Sequence, residues 1–213
     1  MAKVVLFDGT VESLSNWTKR DGSPIEWTVG PNMFKWTYED GTTQEWQRPG
    51  NVLTVGRDDI VSKYTYGDAH IHVEWREPDM PYASGQGKGN SGVYIHGVYE
   101  LQVLDSYGIE NPKNNDCGGI YEMYAPRVNA CRPALEWQTY DIYFRAPRFD
   151  ENGNVIKNAY VTIFQNDILI HNNAELPHPT PGGISDKVSA KGPLLLQDHG
   201  NPVSFRNVWI EEL

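Results

Sequence analysis

The sequence has few of the features that would classify it at once. Its 213 residues contain only two cysteines, Cys117 and Cys131. A chain of this size buries roughly 70% of its unfolded surface, so its core needs no disulfide or metal staple, and both are read as free buried thiols. Basic residues are in deficit: Lys and Arg total 18 against 28 Asp and Glu, a net charge of −10. Nucleic acid and anionic membranes both demand a basic face, so both are excluded as partners. No apolar run approaches the length of a membrane span. Met1, Ala2 and Lys3 lead straight into VVLFDG, without the apolar stretch of a secretory signal. The expectation is a cytoplasmic protein, or a periplasmic or secreted one if a leader has been removed. There is no phosphate loop, no Cys-x-x-Cys and no Gly-x-Ser-x-Gly nucleophile. No helical pattern exceeds a turn or two.

What the chain has is turns and aromatics: 20 Gly, 14 Pro, 7 Trp and 12 Tyr. Short strand patterns lie between them, at 25–29, 33–38, 51–55, 60–63, 69–76, 93–96, 99–105, 137–145, 160–165, 168–171, 194–197 and 203–211. Such spacing predicts a single all-β domain over 1–213, a two-sheet antiparallel sandwich or jelly roll. Phe7 and Trp17 are expected to plug one end, and Asn16-Trp17-Thr18 is a glycosylation sequon. Four long loops, 77–89, 109–119, 147–158 and 172–192, are candidates for function. The last, richest in Pro and Gly, is the lid candidate.

The most informative stretch is GNSGVYIHGVYELQVLDSYG, from Gly89. Two strands flank a break at Gly97. In the second, Tyr99, Leu101 and Val103 point one way, and Glu100 and Gln102 the other. That polar pair faces either open water or a polar cleft. Laminarinase-like sandwiches carry Glu-x-Asp-x-x-Glu here, whereas this chain has Glu100, Gln102 and Asp105. Direct displacement by a carboxylate pair is therefore disfavoured. In AHIHVEWR, His70, His72 and Glu74 share a face, which reads either as a polar outer surface or as a divalent metal site. Gln197, His199 and Arg206 gather where the last two strands join: His199 as a group that exchanges protons near neutrality, Arg206 as a holder of an oxyanion. Lys63, Asn90 and Tyr124 are single polar residues beside turns. Arg132 is placed to clamp a loop.

The chain resembles the 3-keto-disaccharide hydrolase-like domain family. The resemblance rests on LFDGT with Trp17, DIVSKYTYGDAHIHVEWR, GNSGVYIHGVYELQVLDSYG, CGGIYEMYAP, NACRPALEWQTYDIYFRAPRFD and GPLLLQDHGNPVSFRNVWI. Family members often have Arg where this chain has His96. The resemblance implies a concanavalin A-like lectin/glucanase sandwich. It also implies cleavage of glycosides already oxidised to a ketone at C3. The ketone acidifies C2–H, a base removes that proton, the C1 substituent leaves by β-elimination, and water adds to complete a net hydrolysis. One base, one oxyanion stabiliser and one acid suffice. On this reading Glu100 or His199 is the base, and Arg206 or Lys63 holds the enolate, a role a divalent cation on His70, His72 and Glu74 would otherwise fill. Asn90, Gln102 and Gln197 bind hydroxyls, with Asp105 and Arg132 also in the substrate set, and Tyr94, Tyr107 and Tyr124 stack on the ring. Three competitors remain: a carbohydrate-binding lectin-like module, a conventional glycanase pairing Glu74 with Glu100, and a cupin-like metal enzyme.

Overall fold

The computed structural model describes residues 3–213; Met1 and Ala2, where the reading of the N-terminus begins, lie outside the described residues. Its strands are β1 (Lys3–Phe7), β2 (Trp17–Lys19), β3 (Thr28–Thr37), β4 (Thr43–Thr54), β5 (Ile60–Tyr66), β6 (Ala69–Arg76), β7 (Ser91–Ile95), β8 (Tyr99–Val103), β9 (Gln138–Arg145), β10 (Arg148–Phe149), β11 (Val155–Lys157), β12 (Ala159–Gln165), β13 (Ile168–Leu176), β14 (Gly192–Leu196) and β15 (Ser204–Glu212). The larger sheet runs β13-β12-β9-β6-β15-β4-β3, with β1 joined to β15; the smaller runs β2-β5-β14-β7-β8. Every strand pairing is antiparallel. Among the described residues no helix is long and apolar enough to cross a membrane.

Alternation builds the two layers. On β6, Ile71, Val73 and Trp75 are wholly buried. Tyr140, Ile142 and Phe144 do the same on neighbouring β9, and Trp75 packs on Tyr140 with ring centroids 4.0 Å apart. The smaller sheet answers with Val93 and Ile95 of β7, Tyr99, Leu101 and Val103 of β8, and Leu194 and Leu196 of β14, all in the same core. Because side chains alternate, Tyr94, Glu100 and Gln102 must emerge on the far face of the smaller sheet. Phe7 and Trp17 are buried in the core, as expected of end plugs. Cys117 and Cys131 are both free and buried.

Several elements depart from expectation. β1 was not predicted, and β2 and the β10–β11 hairpin lie in stretches read as turns or loops. β3 and β4 form one long hairpin although 43–50 is polar; its outer end is tied by cross-strand pairing and by Phe34 stacked on Trp46 at 5.4 Å. The lid loop begins later than predicted, because 172–176 belongs to β13.

Trp75 fills the core from β6 and also donates its indole N–H to Glu77 at 2.8 Å. Trp75→Ala is expected to cost about 3–5 kcal/mol. Urea denaturation should show a lower midpoint at an unchanged slope.

Candidate active site

The β7–β8 hairpin sets the site. Its register places Tyr94 opposite Glu100 and Gly92 opposite Gln102. The turn between them uses left-handed backbone at His96 and Gly97 (φ 54° and 69°). Gly92 is there for space: a Cβ at that position would fall 2.5 Å from Glu100 Oε1. Segment 177–191 then crosses the outer face as a strap. Thr180 Oγ1 accepts the Glu100 N–H at 2.8 Å, and the Thr180 N–H donates to Val98 O at 2.9 Å.

A cleft of about 140 Å³ results, lined by Gln86, Asn90, Tyr94, Glu100, Gln102, Tyr121, Pro181, Gly182, Gln197 and His199. Glu100 is the one carboxylate among these lining residues. Tyr94 Oη lies 2.8 Å from Glu100 Oε2 and 3.1 Å from Pro181 O, and accepts a hydrogen bond from Gln197 Nε2 at 3.1 Å. Burial pushes the Glu100 carboxyl up to about 7, against the Tyr94 hydrogen bond; the charges of Asp59 and Glu122 add to the rise. Burial also raises the Tyr94 phenol, so it stays protonated and donates.

Three of the four side-chain amides lining the cleft are oriented by their NH₂ groups in the same way. Asn90 Nδ2 donates to Gln86 O at 2.7 Å, Gln102 Nε2 to Gln86 Oε1 at 3.1 Å, and Gln197 Nε2 to Tyr94 Oη. Their oxygens, Asn90 Oδ1, Gln102 Oε1 and Gln197 Oε1, are buried with no hydrogen-bond partner within the protein. All three belong to residues that line the one cleft. They are spare acceptors for a ligand rich in hydroxyl donors.

Of the residues read from sequence, the fold brings Glu100, His199, Asn90, Tyr94, Gln102 and Gln197 together. The others do not line the cleft. Arg206 lies on β15 of the larger sheet, where its Nε donates to Glu74 Oε2 at 2.5 Å and its guanidinium stacks on Trp137. Lys63 is exposed on β5. Asp105 is occupied by Lys88 at 2.9 Å. Tyr107 and Tyr124 are exposed on loops, and Arg132 is exposed while binding Trp137 O at 2.9 Å. The Tyr94 ring is buried, so its contribution to the cleft is its hydroxyl rather than an open stacking face. Gln86, Tyr121, Pro181 and Gly182 were missed. Gln86 sits in a short 3₁₀ turn (Gly85–Gly87) and the other three in loops, where no strand alternation flags a shared face.

The suspected metal set is an ion-pair network on the outer face of the larger sheet. Asp141 Oδ1 takes His70 Nε2 at 2.8 Å and His72 Nδ1 at 2.9 Å, while Glu74 is held by Arg206 and Asn207. Burial opposes charge on His72, but Asp141 and Glu74 outweigh it and raise its pKa to about 9. The Arg206 guanidinium already neutralises the Glu74 carboxylate. Among the described residues, the one cluster of His, Cys, Asp and Glu ligand atoms close enough to share an ion is Glu77, Cys117 and Cys131. It is buried in the core; Glu77 accepts hydrogen bonds from Trp75 and Gln138, and burial holds its carboxyl well above the usual range.

A family model described as a 3-keto-alpha-glucoside-1,2-lyase-like domain matches residues 2–211. A candidate glycosyl hydrolase of known structure from Parabacteroides distasonis ATCC 8503 superposes with a TM-score of 0.80 at 36% identity, covering 99% of this chain and 84% of that one. A second from the same organism gives 0.63 at 21% identity over 99% of this chain and 94% of its own. A third gives 0.60 at 18% identity, with full coverage of both chains. The last two bear on the fold alone. No curated protein matches the chain.

Burial of Glu100 has a thermodynamic signature. Its folded pKa of about 7 exceeds the 4.5 of a free glutamate side chain. The folded state therefore binds more protons between those pH values, and stability falls as pH rises through that window. Glu100→Gln removes the penalty. Its melting temperature should exceed wild type at pH 8 and approach it at pH 4, with a gain bounded at about 3 kcal/mol.

Proposed function

We propose that this chain, which belongs to the 3-keto-alpha-glucoside-1,2-lyase-like domain family, cleaves glycosides whose C3 hydroxyl has been oxidised to a ketone. The observation that carries the reading is a single buried carboxylate, poised near neutrality, in a cleft of unpaired acceptors. Enolisation needs one base whose pKa lies near the operating pH. Displacement at an anomeric carbon needs two carboxyl groups. Glu74, the partner a conventional glycanase would require, sits on the outer face of the other sheet and is tied to Arg206.

In this mechanism ionised Glu100 takes the C2 proton, and the electrons of that C–H bond form the enolate of the C3 ketone. The enolate collapses, the C1–O bond breaks, and the leaving oxygen takes a proton from His199 at the exposed mouth. Water then adds across C1 and C2: its hydroxyl goes to C1, its proton restores His199, and Glu100, whose carboxyl has meanwhile exchanged with solvent, protonates C2. Asn90, Gln102 and Gln197 accept hydrogen bonds from the sugar hydroxyls. Tyr121, which lines the cleft, replaces Arg206 and Lys63 as donor to the enolate oxygen. Tyr94 holds the Glu100 carboxylate in position.

The test compares a 3-keto-glucoside with its unoxidised parent. Release of the aglycone is expected only from the ketone. The rate should rise with pH through about 7 as Glu100 ionises. Release from the parent would indicate a conventional glycanase, and sugar binding without release a lectin-like module. Glu100→Gln should lose at least about 10²-fold, the usual worth of a general base. Arg206→Ala and Lys63→Ala should stay within about threefold of wild type, under ~0.7 kcal/mol.

A further inference from the structure

Beside the cleft lies a charged hollow of about 410 Å³, lined by Lys19, Arg20, Asp21, Asp58, Asp59 and Asp198. Lys19 is engaged with Glu26 and Asp58. Arg20 reaches instead to the strap. Its Nη1 donates to Gly183 O at 3.1 Å and its Nη2 to Gly182 O at 2.5 Å. Its Nε donates to Asp59 Oδ2 at 2.6 Å. The other oxygen of Asp59 accepts the Asp198 N–H at 2.8 Å. Asp198 adjoins His199 and accepts the Gly200 N–H at 2.8 Å. One ion pair thus joins the strap to the turn that carries His199.

Three consecutive strap carbonyls lie in reach of side-chain donors: Pro181 O of Tyr94, Gly182 O and Gly183 O of Arg20. The strap backbone lies hard against Tyr94, since a Cβ at Gly182 would come within 2.6 Å of its hydroxyl. Tyr94 has one hydroxyl proton for two acceptors, Glu100 Oε2 and Pro181 O. A carboxylate is the stronger acceptor, so ionised Glu100 accepts that hydrogen bond and Pro181 O goes without it. In the state a base must occupy, the side-chain grip on these carbonyls falls to Arg20.

We propose that Arg20, oriented by Asp59, is a positioning residue that clasps the strap to the His199 turn and seats both over Glu100. Its kinetic consequence rests on the keto-glycoside reading; the clasp itself does not. The experiment compares wild type, Arg20→Ala and Arg20→Lys by amide hydrogen exchange and by kinetics on a 3-keto-glucoside. In Arg20→Ala, exchange at Thr180 and Ile184 should accelerate about tenfold or more, the effect of ~1.4 kcal/mol of lost local stability, while Ile71 and Val73 in β6 keep wild-type rates. KM should rise about tenfold with a smaller change in kcat, as expected for a residue that acts by binding and enclosure. Arg20→Lys retains a cation for Asp59 and one donor, and should recover part of both effects. Wild-type exchange at Thr180 and Ile184 in Arg20→Ala would overturn the clasp. So would accelerated exchange with unchanged KM and kcat, because the strap would then be tethered without serving the site. If the wild-type protein releases no aglycone, the functional reading fails while the exchange data still decide whether Arg20 holds the strap.

Discussion

The site depends on keeping one carboxylate in a place that disfavours its charge. Glu100 lies on an outer face that would be wet, were it not covered by the strap. Gly92 leaves room for the carboxylate on the neighbouring strand, Tyr94 lies within hydrogen-bonding reach, and Thr180 Oγ1 accepts its backbone N–H. Burial raises the carboxyl to about 7. Each of these features would be a liability in a purely structural strand. Together they make a group that gains and loses a proton near neutrality.

The same principle explains the amides. Asn90, Gln102 and Gln197 each use their NH₂ group on a protein acceptor, which leaves their oxygens unpaired. Those oxygens are left to accept hydrogen bonds from the hydroxyl donors of a ligand. No Lys or Arg side chain lines this cleft. Neutral, hydroxyl-rich ligands fit that lining better than anionic ones.

Alternation made the sandwich legible, and on β8 it separated Glu100 and Gln102 from the core. The same rule misled on β6. His70, His72 and Glu74 alternate as cleanly, but they face outward from the larger sheet, and the pattern cannot say which outer face carries a strap. Arg206 was assigned to the cleft because it follows His199 closely in sequence. The chain passes from β14 of the smaller sheet to β15 of the larger one between them, so the two part company. Tyr121, Gln86 and Arg20 were invisible for a related reason. They reach the site from loops, through contacts spanning many residues, and no local period marks them.

The central claim is that Glu100 removes the C2 proton of a ketone-bearing sugar. The most direct measurement follows deuterium at C2 by NMR or mass spectrometry, with a 3-keto-glucoside incubated in deuterated water. The account predicts label at C2 with wild-type protein and background label with Glu100→Gln, whose fold is intact by circular dichroism. Aglycone release without C2 label, or wild-type labelling by Glu100→Gln, would contradict it.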